Sequence, residues 1–390
     1  MSTPDDLPAF GATAILAPEA SRPRTAADPH DVFLKNKNFA SLNGIRCLCC
    51  LAVIKEHVFW DFPAPRLIAN GWLGVDLFFE ISGFLIVTLL MRERARKGDI
   101  SLGKFYARRT LRIFPIYYLL ILAVLVVFLA VSPWKPNSLR YYAPAFPVLL
   151  TYTQDFIWVE LGIFNAMWTL AMEEQFYMLW PTVEKFASRW GRSLILGALL
   201  AVNQALNFGY LDNLIVGFTG SETTLKRPII LITFTPILLG VLLAYLLNER
   251  RAFDVLYKVL GWKGSSFAFL GLLFAICQAD PAISQGWTKL AIHVTFLMIL
   301  GSLVIREDHY ARPILALPVL DRLGVISYGI YLYHMWVIAL AQPVLNRLVP
   351  GGVGPAAMFV VATIGTIAVA EASFRLIEQP LLRLKGRFHS

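Results

Sequence analysis

Trp72-Leu73-Gly74-Val75-Asp76-Leu77-Phe78-Phe79-Glu80-Ile81-Ser82-Gly83-Phe84-Leu85-Ile86-Val87-Thr88-Leu89-Leu90 decides the fold. An α-helix needs roughly 20 apolar residues to cross the hydrocarbon core of a bilayer, and this stretch is that long with only two charges. Directly after it come Arg92, Arg94, Arg96 and Lys97, the basic flank that marks a cytosolic helix end. Similar apolar runs recur on both sides. The expected spans are 40–60, 71–92, 112–131, 167–185, 193–210, 229–247, 265–280, 287–305, 326–346 and 355–377. The fold class expected is therefore an all-α integral membrane protein, a bundle of about ten transmembrane helices. Composition agrees: 57% of the 390 residues are hydrophobic and 16% charged, too few charges to cover a water-facing surface.

Loop charge gives the orientation. Arg94, Arg96, Lys97, Lys104, Arg108 and Arg109 face only Glu93 and Asp99 in one loop, and Arg250, Arg251, Lys258 and Lys263 face Glu249 and Asp254 in another. Those loops are expected in the cytosol. The alternate loop 132–166 balances Lys135 and Arg140 against Asp155 and Glu160, and Arg383, Lys385 and Arg387 return to positive. Both termini are then cytosolic. The stretch 142–158, with Pro144, Pro147, Gln154 and Asp155, reads as a short helix or re-entrant piece in an external loop. Residues 1–38 are polar, lack a signal peptide's apolar core and read as a disordered cytosolic tail; 39–380 form the membrane domain and 381–390 a basic tail. The net charge of +9 follows from this sidedness and from membrane lipid, and no motif supports nucleic-acid binding. Cys47, Cys49, Cys50 and Cys277 read as small packing residues.

Ionisable groups inside spans point to function. Arg46 and His57 are eleven residues apart, about 1100° around a helix, so both project from one face roughly 16 Å apart along the axis. That suits a ligand lying along the helix, anionic near Arg46 and reactive near His57; the alternative is a snorkelling arginine and a structural imidazole. Asp76 and Glu80 share a face at i, i+4, with Gly83 beyond them where a neighbouring backbone can approach, and they are candidates to orient His57. Glu173 and Tyr177 share a face in the next polar cluster. In Lys104-Phe105-Tyr106-Ala107-Arg108-Arg109-Thr110-Leu111-Arg112, Arg108 and Arg112 form one cationic face suited to phosphates. His293, His334 and Glu371 read as structural. There is no P-loop, nucleophile elbow or zinc-binding His pair, and neither an internal repeat nor a matched pair of broken helices of the transporter kind.

These residues resemble membrane acyltransferase family 3, the bacterial O-acyltransferases of polysaccharides, lipid-linked sugars and small molecules. Ser41-Leu42-Asn43-Gly44-Ile45-Arg46 with His57 resembles the family's opening motif and its Arg-x10-His pair. Gly74 to Ile86 follows the family segment almost residue for residue, and Arg108 to Pro115, Trp168 to Pro181, Ser327 to His334 and Phe374 to Pro380 follow in order. The resemblance runs from about Ser41 to Pro380. Asn43 stands where the family usually has Asp, and Thr169 and Ala171 replace two serines, which argues against a serine acyl-enzyme at Ala171.

The resemblance implies transfer of an acyl group, most often acetyl, from cytosolic acyl-CoA to a hydroxyl of a carbohydrate, a lipid-linked sugar or a small molecule, in the bacterial inner membrane. His57 would be the general base, with Glu173 or Asp76 orienting it or the acceptor and with Glu80 and Tyr177 nearby. Arg46, Arg108, Arg109 and Arg112 would hold the donor. No metal and no tightly bound cofactor is expected, and the membrane domain is expected to complete the activity. The rival reading is a transporter or flippase of a lipid-linked or amphiphilic molecule, which would release no CoA; a scaffold is the third.

Overall fold

The computed structural model describes residues 28–36, 38–58, 64–131, 143–154, 162–213, 234–280, 283–349 and 352–384. Among these the regular structure is helical throughout, because in lipid each backbone N–H and C=O is best satisfied within its own segment. In chain order the helices are α1 (Pro29–Lys35), α2 (Ala40–Val58), α3 (Arg66–Ala69), α4 (Leu73–Lys97), α5 (Leu102–Val131) and α6 (Ala145–Leu150). A 3₁₀ turn, Gly162–Met167, leads into α7 (Trp168–Phe186) and α8 (Arg189–Asn207). There follow α9 (Thr235–Asn248), α10 (Arg250–Leu260), α11 (Ser265–Ala279), α12 (Gly286–Val304), α13 (Arg312–Leu315), α14 (Pro318–Val325), α15 (Ser327–Leu348) and α16 (Pro355–Ser373). A π turn, Phe374–Glu378, continues into α17 (Gln379–Leu384).

By length and composition four helices qualify as spans alone: α4, α5, α12, and α16 with its continuation to Arg383. Up to seven spans result if α1 with α2, α10 with α11, and α14 with α15 each count as one bent span. This is fewer than the ten expected, and the side chains explain the difference. Helix α2 carries Arg46, Lys55 and Glu56, and α7 carries Glu173, Glu174, Glu184 and Lys185, which dilute the hydropathy of helices packed inside the bundle. Helix α9 carries no charged residue and has 14 residues, with 229–233 of the expected span outside the described residues.

Two glycine crossings set the helices that carry the site. A Cβ at Gly83 would lie 2.0 Å from the Ile237 carbonyl oxygen and one at Gly240 2.1 Å from that of Glu80, so α4 and α9 touch backbone to backbone. Likewise, a Cβ at Gly44 would meet the Leu315 carbonyl oxygen at 2.1 Å and one at Gly324 the Asn43 oxygen at 2.2 Å, pressing α2 against α13 and α14. Helix α4 also packs on α2, α7 and α12. At its basic end the fully buried Glu184 gathers Arg94 of α4 at 3.4 Å, Arg192 of α8 and the Tyr245 hydroxyl of α9 at 2.7 Å. Lys185 beside it donates to Asp99 at 2.8 Å, which holds that loop carboxyl below the usual carboxylate range.

The end of the expected disordered tail is ordered. Asp28 caps α1 by accepting from the His30 N–H at 2.9 Å, and Phe33 is buried against Phe39 and Phe253. Arg92 of α4 donates to the Phe33 carbonyl at 3.1 Å. Residues 1–27, the loop charges Lys135, Arg140, Asp155 and Glu160, and the terminal Lys385 and Arg387 lie outside the described residues. The stretch 142–158 contains the short helix α6.

Candidate active site

Arg46, Cys50, Val53 and His57 form one stripe of α2 at i, i+4, i+7 and i+11. A narrow, largely apolar cavity runs along it, walled by Cys50 and Val53, by Phe78 of α4, by Thr169 and Glu173 of α7, and by Tyr331 of α15. Arg46 lies one turn beyond the cavity at one end and His57 one turn beyond at the other. The space, about 30 Å³, touches the middle of the stripe at Cys50 and Val53 and reaches neither Arg46 nor His57.

At the His57 end, Nδ1 lies 2.9 Å from the Val53 carbonyl oxygen one turn back. A carbonyl only accepts, so Nδ1 carries the proton and Nε2 bears the lone pair in the neutral ring, the tautomer a general base requires. The His57 ring makes an edge contact with His334 of α15, centroids 4.9 Å apart. The isolation of His334 in the sequence predicts a structural role; the fold places it against the His57 ring. On the turn before it, the Tyr331 hydroxyl accepts from Thr169 Oγ1 at 2.8 Å and donates to the Ala166 carbonyl at 3.0 Å. The hydroxyl kept at position 169 therefore fixes the wall of the cavity.

At the other end Arg46 is packed under Phe78, its guanidinium 5.4 Å from the ring centroid and its Nε without a hydrogen-bond partner. Glu173 accepts from Ser82 Oγ at 2.6 Å, and Tyr177 lies one turn further along the same helix. Arg109 lies 4.6 Å over the Tyr177 ring. Arg46, Arg109 and Arg112 are within electrostatic reach of one another, with Glu173, Tyr177 and Glu378 as the neighbouring acidic groups. This end attracts an anion, and three cations so close are stabilised by one.

Several expected members stand elsewhere. Asp76 pairs with His293 Nε2 at 3.0 Å and so does not orient His57. Glu80 is fully buried with both carboxylate oxygens unpartnered, on the side of α4 that meets α9. Glu173 belongs to the arginine end, not to the imidazole. Arg108 turns to Glu93 at 3.7 Å, so the cationic cluster is formed by Arg109 and Arg112 rather than by Arg108 and Arg112. Glu371 is held by Arg322 at 2.9 Å, Asn43 donates to Asp321 at 2.8 Å, and the four cysteines are free and buried. Ser82 escaped the sequence reading although it lies in the decisive stretch, two residues after Glu80. Among the described residues no group of three or more His, Cys, Asp or Glu is placed to hold a metal ion.

The acyltransferase domain family matches residues 39–372, which takes in every residue of both ends of the cavity except Glu378. The chain belongs to this acyltransferase family. It is 28% identical over 374 residues to the peptidoglycan O-acetyltransferase OatA of Listeria monocytogenes, covering 88% of this chain and 56% of that protein. It is 29% identical to a putative O-acetyltransferase of Staphylococcus aureus strain COL, covering 89% and 58%, and 26% identical to the O-acetyltransferase OatA of S. aureus strain NCTC 8325, covering 88% and 57%. The chain thus spans a little over half the length of these curated relatives. No solved structure matches it. The acyltransferase is a multi-pass protein of the bacterial cell membrane, as its apolar helices and these relatives require.

Proposed function

We propose that this acyltransferase moves an acetyl group from cytosolic acetyl-CoA to a carbohydrate hydroxyl, with His57 as general base. The observation that supports it is the stripe on one face of α2, with an arginine cluster one turn beyond one end of a small cavity and, one turn beyond the other, an imidazole whose Nε2 is free to accept a proton. In the proposed step His57 Nε2 takes the proton of the acceptor hydroxyl as its oxygen attacks the thioester carbonyl. The new C–O ester bond forms, the C–S bond breaks, and the CoA thiolate recovers the proton from the imidazolium. Arg46, Arg109 and Arg112 hold the phosphates of the donor, and its pantetheine arm extends along α2 so that the thioester reaches His57. Thr169, Tyr331 and Phe78 shape the passage between.

The proposal includes the full topology: the ten expected segments all cross the membrane and both termini are cytosolic, which rests on the charges of the loops. Peptidoglycan, the acceptor in the name of the Listeria relative, is the first carbohydrate to test. Purified protein with labelled acetyl-CoA and a peptidoglycan oligosaccharide should transfer label and release CoA. Because a positioned base contributes about 10² to 10⁴-fold, His57→Gln should lose at least that much while keeping donor affinity. Transfer at the wild-type rate by His57→Gln would remove the imidazole from the mechanism.

A further inference from the structure

The two imidazoles are alike in a way that is unfavourable at rest. His334 Nδ1 lies 2.6 Å from the Tyr331 carbonyl oxygen, so it too carries its proton on Nδ1. Its Nε2 is then an acceptor, completely buried and without a partner. His57, in edge contact with it, is tied by Nδ1 to Val53 and also offers only a lone pair. Two neutral rings of this tautomer have no hydrogen bond to exchange through Nε2. Once His57 gains a proton on Nε2 it becomes a donor, and the orphan acceptor beside it is His334.

We infer that His334 is a positioning residue for the transfer reaction: its Nε2 accepts a hydrogen bond from His57 Nε2–H when His57 has taken the acceptor's proton. This rests on the reading of His57 as general base. The contact is absent in the ground state and present as charge develops, so it lowers the barrier instead of merely tightening binding. Among the described residues, the charged groups of the surrounding elements are engaged elsewhere. On α2, Glu56 accepts from the Gly71 N–H and Lys55 donates to the Ala69 carbonyl; on α4, Asp76 is engaged by His293; on α14 and α16, Arg322 and Glu371 are engaged with each other. The proton stays on His57 and returns to the thiolate, so the stoichiometry of the reaction is unchanged.

The test compares His334→Phe, which keeps a ring against His57 but no acceptor, with His334→Gln, whose Oε1 can stand near the position of Nε2. Turnover and the pH profile of kcat/KM are measured with acetyl-CoA and a peptidoglycan oligosaccharide, alongside His57→Gln. A base that loses the acceptor for its protonated form becomes weaker. The alkaline-rising limb should therefore move to lower pH in His334→Phe and its plateau should fall roughly tenfold or more, with the profile restored towards wild type in His334→Gln. Donor affinity should not change. A wild-type profile in His334→Phe, or equal losses in both variants with the limb unmoved, overturns the inference and leaves His57 as base if His57→Gln is dead. Should His334→Phe fail to insert, His334→Gln against His334→Asn, whose shorter side chain cannot place an acceptor there, decides by the same limb. Activity in His57→Gln would instead overturn the base itself.

Discussion

At the scale of single residues the arginines are not equivalent. Arg112 stands among Arg46 and Arg109, and among the described residues no carboxylate is within ion-pair distance of it, whereas Arg108 already faces Glu93 at 3.7 Å. Hydrogen bonds to a charged group contribute about 1.5–3 kcal/mol, so Arg112→Ala should raise the acyl-CoA concentration for half-maximal rate by roughly ten- to a hundredfold. Arg108→Ala should change it much less. Lower ionic strength should tighten donor binding in the wild type. Equal effects of both substitutions on the donor dependence would reduce the cluster to a topology signal. The sequence made Arg46 and His57 legible as a pair because helical periodicity is local arithmetic. The partner of Asp76 was illegible, since His293 is 217 positions away and nothing in the decisive stretch specifies which helix will lie opposite. Arg108 and Arg112 satisfied the same i, i+4 rule as other pairs, yet Glu93, on the preceding helix, drew one of them aside.

At the scale of helices, the crossing of α4 and α9 holds one wall of the site in place. Gly240→Ala would put a methyl carbon 2.1 Å from the Glu80 carbonyl oxygen, and backbone cannot yield as a flexible side chain does. The helices must separate, at a cost of about 1–3 kcal/mol by comparison with overpacked cores. The detergent-solubilised variant should therefore unfold several degrees below wild type. Gly271→Ala on α11, where a Cβ would meet nothing within 4 Å, should unfold at the wild-type temperature or above. Equal melting temperatures for the two variants would mean that the close crossing carries no stability. Gly83 was recognisable from the sequence as a point of close approach, but its partner was not. Tertiary placement was equally illegible for the charges of α7: Glu184 is buried between Arg94 of α4 and Arg192 of α8, which a hydropathy average over one helix does not register.

At the scale of the whole molecule, the direction of transfer depends on which side of the membrane each end of the cavity faces. Helix α4 has 25 residues, about 37 Å of rise, more than the roughly 30 Å of a hydrocarbon core, so its two ends lie on opposite sides. Its basic end is on the side of Glu184 and the loop arginines; its other end adjoins α3, on the side where α2 ends just after His57. If the loop charges set the topology, Arg96 is cytosolic and Ile68 of α3, 55% exposed, faces outward. Single cysteines at these positions report this cleanly because the four native thiols are buried and contribute little background. In intact cells a membrane-impermeant maleimide should label Ile68→Cys and leave Arg96→Cys unlabelled until the membrane is permeabilised. The reverse pattern would put the arginine cluster outside, where there is no acyl-CoA, and would overturn the donor assignment while leaving the cavity and its two imidazoles intact. The expected pattern places His57 towards the outer surface, so that a donor entering between Arg46 and Arg112 and an acceptor arriving near His334 meet inside the bundle without either crossing it.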